Sequence, residues 1–116
     1  MRPAPGTPLC PLDAIDDPGA RAFSFGAGAA GFHMFLVRKD GELRAYVNEC
    51  PHGRTRLDHW PDTFLTLDET RIICAAHAAL FRIADGFCVS GPCAGKSLTP
   101  VPVEIVEGTV RIAAEG

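Results

Sequence analysis

The chain has 116 residues, of which 47% are hydrophobic, and its net charge is −3. This length predicts one domain with a modest core, and the charge, without any basic run, disfavours nucleic acid and anionic membranes as partners. The 12 glycines and 10 prolines, together with few runs of helical period, predict an all-β chain rich in turns.

The N-terminal segment, residues 1–8, contains prolines at positions 3, 5 and 8 and no apolar run typical of a signal peptide. It predicts a flexible tail before a single domain at 9–116. The apolar run at residues 32–37 is six residues long, too short to span a bilayer. We therefore expect a soluble, cytoplasmic protein, in which the five cysteines are ligands and free thiols rather than a disulfide framework.

Short strand-like runs, separated by turn residues, follow one another along the chain. Asp40-Gly41 lies between two of these runs and predicts a hairpin, whereas Pro100 and Pro102 predict a strand at a sheet edge. In chain order, the predicted strands are 9–15, 22–25, 32–37, 42–48, 65–67, 71–74, 79–83, 87–89, 98–106 and 109–113. This pattern, without a predicted helix, favours a β-sandwich or an open barrel.

Two short motifs carry the chemistry: Cys-Pro-His at 50–52 and Cys-Ala-Ala-His at 74–77. Each offers one thiolate and one imidazole, and 21 residues separate the two motifs. Two sulfur and two nitrogen donors suit either a tetrahedral zinc ion or an iron–sulfur centre. Zinc sites with this donor set usually pair two cysteines and then two histidines. Here each motif holds one of each, which favours two adjacent irons, one bound by both sulfurs and the other by both imidazoles.

The motifs resemble those of the Rieske family, in which two histidines replace two cysteines on one iron of a [2Fe–2S] cluster. The resemblance extends over residues 32–112. Within this range, the run at 46–52 resembles the approach to the first ligand loop. It implies a sandwich or open-barrel base with a small cluster-binding subdomain, whose loops lie within about 48–93. It also implies one cluster per chain, with Cys50 and Cys74 on one iron and His52 and His77 on the other.

Several features depart from the usual family pattern. The loop between the motifs is longer than usual, which indicates a long-loop variant with the extra length near 58–64. Ala78 follows the second histidine where the family usually has glycine, and a Cβ disfavours a positive φ there. High-potential relatives have an additional disulfide between the ligand loops, and hydroxyl donors at the positions of Ala79 and Phe81. Because these two side chains donate nothing, the resemblance implies a low potential.

Five further side chains have simpler interpretations. Cys10 is predicted to be a small buried hydrophobe, and His33 a packed or edge histidine within a strand. Cys88 and Cys93 lie five residues apart across a turn. They are interpreted either as free thiols or as a disulfide or thiol pair near the cluster. His59 is predicted to be a solvated loop residue.

The resemblance implies an electron carrier, a free-standing ferredoxin that passes electrons from a flavin-dependent reductase to a terminal oxygenase. We expect no enzymatic activity of its own, because 116 residues leave no room for an oxygenase's catalytic domain. An accessory subunit, as in nitrite-reductase-like systems, is the alternative, although such subunits generally lack the ligands. A redox- or iron-sensing module is a third possibility, disfavoured because no DNA-binding or partner domain is attached.

The predicted docking face surrounds the two histidines, which the family leaves nearest to solvent. Its other members are two prolines, a tryptophan and two rim arginines: Pro51, Pro92, Trp60, Arg54 and Arg56. Packing against the long loop is the alternative role for Trp60. Solvation, without a role in docking, is the alternative for the arginines.

Overall fold

The computed structural model of the protein describes residues 3–26, 31–51, 57, 64–74 and 78–114. Within these ranges the chain forms nine strands and one turn of 3₁₀ helix at Leu12–Ala14. The strands are β1 (Pro8–Pro11), β2 (Gly19–Phe25), β3 (Phe32–Lys39), β4 (Glu42–Val47), β5 (Arg71–Cys74), β6 (Ala79–Arg82), β7 (Cys88–Ser90), β8 (Val103–Val106) and β9 (Thr109–Ile112). In the part of the chain described, no helix is long and apolar enough to cross a membrane.

The strands form three antiparallel sheets in the orders β1-β9-β8, β2-β3-β4 and β5-β6-β7. The prediction of an all-β chain is therefore confirmed. Sheets β1-β9-β8 and β2-β3-β4 share one hydrophobic core and form the base. Sheet β5-β6-β7 packs on the other face of β2-β3-β4 around a second core, which also contains the two predicted cysteine ligands.

Strand β3 explains why the middle sheet is covered on both faces. Its four central residues, Met34, Phe35, Leu36 and Val37, are fully buried. Successive side chains of a strand point to opposite faces. Met34 and Leu36 accordingly lie in the base core, whereas Phe35 and Val37 lie in the core of the third sheet. A strand buried on both faces has a continuous apolar run rather than an alternating one.

Two tight hairpins form where a residue followed by glycine separates two strands. Asp40 and Gly41 have φ of +53° and +78°, and Glu107 and Gly108 have φ of +50° and +78°. Positive φ at both central residues is the geometry whose twist matches that of the flanking strands. The hairpin predicted at Asp40-Gly41 is confirmed, and the strand before it extends to Lys39.

The prediction of one strand over 9–15 is wrong in its second half. Strand β1 ends at Pro11, and a 3₁₀ turn follows, closed by the Ile15 N–H donating to the Leu12 carbonyl at 3.2 Å. Pro11 has no N–H to continue the ladder, so the chain leaves the sheet there. At the other end, the Gly6 N–H already donates to the Ile112 carbonyl at 2.7 Å.

The prediction of one strand over 98–106 is also wrong, because this segment changes sheets. Its first half lies against β4, where the Val47 N–H donates to Thr99 and the Val101 N–H donates to Ala45. Its second half is β8, which pairs with β9. Pro100 and Pro102 cannot donate to a regular ladder, which explains the break between the halves. The predicted edge position is confirmed for β8, which is the outer strand of its sheet.

Candidate metal centre

The two predicted cysteine ligands lie in the same buried core. Cys50 follows β4 and Cys74 ends β5. Both are fully buried, and neither forms a disulfide. Iron binds thiolates that are held away from competing water, and two cysteines that form no disulfide in one buried core fit the thiolate half of a cluster site. His52 and His77 lie outside the described residues, so the imidazole half stays a prediction.

The first ligand loop is closed by Asn48, a residue whose role the sequence alone did not reveal. Asn48 is the buried polar side chain identified among the described residues, with 6% of its surface exposed. Its Oδ1 accepts a hydrogen bond from the Leu57 N–H at 2.8 Å, while its own N–H donates to the His33 carbonyl. Leu57 is fully buried. Asn48 therefore joins the two ends of the loop that contains Cys50.

We expect Asn48→Ala to lower the free energy of unfolding by about 1–3 kcal/mol, because the buried Leu57 N–H loses its acceptor. The shift of the urea midpoint, followed by circular dichroism, measures this loss. Thr66→Ala is the control, since it removes a hydroxyl whose 2.6 Å bond to Asp68 is exposed to water. Equal midpoints for the two variants would contradict a structural role for Asn48.

The chain returns from the long loop through a stacked aromatic pair. Phe64 is fully buried, and its ring lies 4.2 Å from that of Phe35 with 9° between their planes. The Ile73 N–H then donates to the Phe64 carbonyl at 2.8 Å, and Leu65 forms a bridge with Ile72. The predicted pairing of 65–67 with 71–74 is confirmed at this bridge, and it places Cys74 at the far end of β5.

The turn between these segments is built around Asp68. Its Oδ1 accepts hydrogen bonds from the hydroxyls of Thr66 and Thr70 and from the Thr70 N–H. These bonds lower the pKa of Asp68 to about 2. The turn is therefore held by a carboxylate that stays charged at ordinary pH.

Ala78, the residue in the family's glycine position, has a positive φ of +56°. Its Cβ disfavours this conformation, but the Ala78 N–H donates to the Cys74 carbonyl at 2.8 Å and closes the turn, so the positive φ is adopted all the same. A left-handed residue with a side chain costs about 1–2 kcal/mol. The surrounding contacts therefore hold a strained residue beside the second motif.

The loop after β7 approaches β6 closely, and Gly91 makes this approach possible. Its φ is +102°, and a Cβ at this position would lie 2.7 Å from the Cα of Ala79. Ala79 in turn pairs with Cys74 across β5 and β6. The loop thus covers the strand next to a predicted ligand.

Cys88 and Cys93 are free thiols that lie in the same core as Cys50. Their Sγ atoms are 3.3 Å apart, and both side chains are fully buried. Burial raises the pKa of Cys93 to about 12, with further contributions from hydrogen bonding and charge interactions with Cys88 and then Cys50. Of the interpretations left open by the sequence, the structure has free thiols near a predicted ligand and no disulfide.

Some of the remaining predicted residues are described by the structure, and others are not. Cys10 is buried in the base core, and His33 lies on β3 with its Nδ1 2.8 Å from Ser24 Oγ, so both predictions are confirmed. Pro51 is half-buried and Pro92 is exposed. Other predicted residues lie outside the described part of the chain. They are Arg54, Arg56 and Trp60 of the docking face, His59, and residues 58–63 of the long loop.

Three solved structures have a fold similar to that of this chain. The ferredoxin of carbazole 1,9a-dioxygenase from Nocardioides aromaticivorans IC177 is 21% identical, with a TM-score of 0.70 over 95% of this chain and 100% of that one. The Sphingomonas yanoikuyae B1 ferredoxin is 27% identical, with a TM-score of 0.70 over 93% and 97% of the two chains. A chain in the complex of reduced oxygenase and oxidized ferredoxin in carbazole 1,9a-dioxygenase is 25% identical, with a TM-score of 0.70 over 93% and 92%.

The family comparison covers most of the chain. No curated protein sequence is significantly similar to it. The sequence profile of the Rieske [2Fe-2S] domain, however, matches residues 8–107. This segment contains both motifs, the buried Cys50 and Cys74 and all but the last strand of the fold. The chain belongs to the Rieske [2Fe–2S] family.

Proposed function

We propose that this protein is a soluble, cytoplasmic ferredoxin that carries single electrons from a flavin-dependent reductase to a terminal oxygenase. The observation that carries the proposal is the pair of fully buried cysteines, Cys50 and Cys74, which form no disulfide and lie in one core of a Rieske domain. A [2Fe–2S] cluster bound there supplies a one-electron couple. The proposal includes no catalytic role for the chain itself.

The proposed ligands are Cys50 and Cys74 for one iron and His52 and His77 for the other. The core around the two cysteines excludes water from their sulfurs, which favours stable thiolate ligation. Accessory subunits of this kind generally lack the cluster ligands, whereas this chain retains both motifs. We therefore do not favour that alternative.

The proposed oxygenase partner is supported by relatives. A chain of similar fold occurs in a complex of oxygenase and ferredoxin. Two other similar structures are ferredoxins, which this chain matches over 97% and 100% of their lengths. The flavin-dependent reductase is proposed from the family resemblance alone.

The proposal is tested on protein expressed with iron and purified without oxygen. We expect two irons and two sulfides per chain, a red-brown colour, and reversible reduction by one electron equivalent of dithionite. The reduced protein should have the low average g value of mixed cysteine and histidine ligation in its electron paramagnetic resonance spectrum. Colourless protein without iron after this treatment would refute the proposed carrier role and would favour the accessory-subunit alternative.

We expect the midpoint potential to lie in the lower part of the Rieske range, which is about −150 to +300 mV. Ala79 and Phe81 occupy the positions of the hydroxyl donors of high-potential relatives, and both are fully buried apolar side chains. Each missing hydrogen bond to a charged group is worth about 1.5–3 kcal/mol, so the loss of even part of two lowers the potential by tens of millivolts or more. Protein-film voltammetry measures the potential, and a midpoint above roughly +150 mV would contradict the argument.

A further inference from the structure

We propose that Cys88 and Cys93 are a modification site, at which a peroxide converts the two thiols into a reversible disulfide. The site is separate from the predicted ligand set, and the proposal does not depend on the presence of a cluster. It assigns a role to two buried cysteines that iron binding leaves unused.

The sulfurs of the two cysteines lie close together inside the protein. Their Sγ atoms are 3.3 Å apart, so no other heavy atom lies between them. The length of a disulfide bond is about 2.0 Å, so the sulfurs must approach each other by only about 1.3 Å. The Cys88 S–H can donate to the Ser90 carbonyl, 3.2 Å from the sulfur, which leaves a lone pair of Cys88 to face Cys93.

The backbone holds one of the two cysteines in place and lets the other move. Cys88 belongs to β7 and pairs with Phe81 of β6, and its N–H donates to the Lys96 carbonyl at 2.8 Å. Cys93 lies in the loop after β7, where Gly95 has a φ of +91° and no non-neighbouring atom lies within 4 Å of a Cβ built there. The loop therefore has room to shift by the distance that the bond requires.

A single layer of surface loop separates the pair from solvent. Cys88 is 0% exposed and Cys93 is 1% exposed. The residues that adjoin them in the loop are exposed: Val89, Ser90, Gly91, Pro92 and Ala94. This depth excludes bulky oxidants such as glutathione disulfide. Hydrogen peroxide has only two heavy atoms and reaches the thiols through small local openings of the loop.

One molecule of hydrogen peroxide balances the reaction. One cysteine sulfur attacks a peroxide oxygen, the O–O bond breaks, and the released hydroxide leaves as water with the proton of that thiol. The second sulfur attacks the resulting sulfenic acid and the S–S bond forms. The hydroxyl group then leaves as a second water with the proton of the second thiol. The two thiols lose two electrons, which reduce the peroxide.

The proximity of a second thiol determines the product of oxidation. Without such a neighbour, a sulfenic acid is oxidised further to sulfinic acid, which thiol reductants do not reverse. With a partner sulfur 3.3 Å away, the oxidation stops at a disulfide, which a dithiol can reduce. In a reducing compartment such disulfides are usually transient, which agrees with the two free thiols of the structure.

The proposed bond differs in position from the disulfide of high-potential relatives. That disulfide joins the two ligand loops, whereas Cys88 and Cys93 both lie after the second motif. They belong to the segment that covers β6, where Gly91 lies against Ala79. The bond would therefore join two parts of this one segment.

The test adds one equivalent of hydrogen peroxide to the cluster-containing protein in the absence of oxygen. Excess N-ethylmaleimide is present during denaturation, so that it traps thiols and released sulfide before they exchange with a disulfide. Trypsin then yields residues 83–96 as one peptide, which contains Cys88, Cys93 and no other cysteine. We expect most copies of this peptide to lose both labels and to be lighter than the reduced peptide by two hydrogen atoms. Dithiothreitol before labelling should restore both labels.

Cys10 provides the matched control, because it is the only one of the five cysteines in the base core. It should keep its label after the same treatment, and the Cys10→Ala variant should still form the bond. With excess peroxide, Cys93 in the Cys88→Ala variant should become a sulfinic acid that dithiothreitol does not reverse, whereas the wild-type pair should be recovered.

The outcomes separate this inference from the proposed function. Wild-type protein in which peptide 83–96 keeps both labels, or gains oxygen atoms instead of losing two hydrogens, would overturn the inference alone. Because the measurement concerns this peptide, it does not depend on bound iron. Protein that forms the bond but binds no iron would refute the proposed carrier role and support the inference.

Discussion

Cys50→Ser is expected to abolish the [2Fe–2S] cluster, with loss of nearly all iron, sulfide and resonance signal from the reduced protein. The side chain is 0% exposed. Burial disfavours the charged alkoxide that a serine ligand would need, and oxygen is a harder donor than the thiolate that iron–sulfur clusters use. His77→Ala is expected to give the same result, because it removes one of the two proposed imidazole ligands.

Cys10→Ser is the control for this prediction. Cys10 is also a buried, free cysteine, but it lies in the base core rather than in the core of the third sheet. Its replacement should leave the metal content and the spectrum unchanged even if stability falls. An iron-loaded protein whose spectrum survives both Cys50→Ser and His77→Ala would show that the cluster ligands have been assigned wrongly.

Gly91→Ala is expected to have the largest effect on stability, about 4 kcal/mol, as the sum of backbone strain and overpacking. The residue has a φ of +102°, and the new Cβ would lie 2.7 Å from the Ala79 Cα and 3.1 Å from its Cβ. Because these atoms belong to a strand, the loop must move instead. Since Ala79 pairs with Cys74, we also expect a lower cluster content.

Gly95→Ala separates the two contributions. Gly95 lies in the same loop with a φ of +91°, but no atom lies within 4 Å of a Cβ built there. The free energy of unfolding of this variant should fall only by the cost of backbone strain, about 1–3 kcal/mol. The urea midpoints of both variants, followed by circular dichroism and by the cluster's absorption, measure the difference. Equal losses would contradict the close contact between the loop and β6.

The sequence by itself determined the fold class, the family and the predicted ligand set. These follow from local patterns. Asp40-Gly41 supports a tight hairpin wherever it occurs between two strand-like runs. The apolar run at 32–37 predicts a strand, and the structure has β3 there. The two motifs hold their donors within three or four residues, so their chemistry can be read without the fold.

Other features were decided only by the pairing, hydrogen bonds and burial of the folded chain. Residues 98–106 look like one strand, but the edges of β4 and β9 compete for them, and two prolines determine where the chain changes sheets. Ala78 would not choose a positive φ alone, and the turn closed on Cys74 imposes it. The link from Asn48 to Leu57 spans nine residues and depends on burial. No local pattern predicts it.

The position of Cys93 in the site also could not be predicted from the sequence alone. From the sequence, its thiol was either free, paired with Cys88 or near the cluster, since a spacing of five residues permits each outcome. In the structure it is buried in the same core as Cys50, forty-three residues earlier in the chain, and Gly91 lets its loop lie on β6. The sequence thus indicated which side chains are predicted to bind iron, whereas the tertiary structure decided which buried thiols share a core with the predicted cysteine ligands. The reason is that such a contact depends on packing between loops that are far apart in the chain.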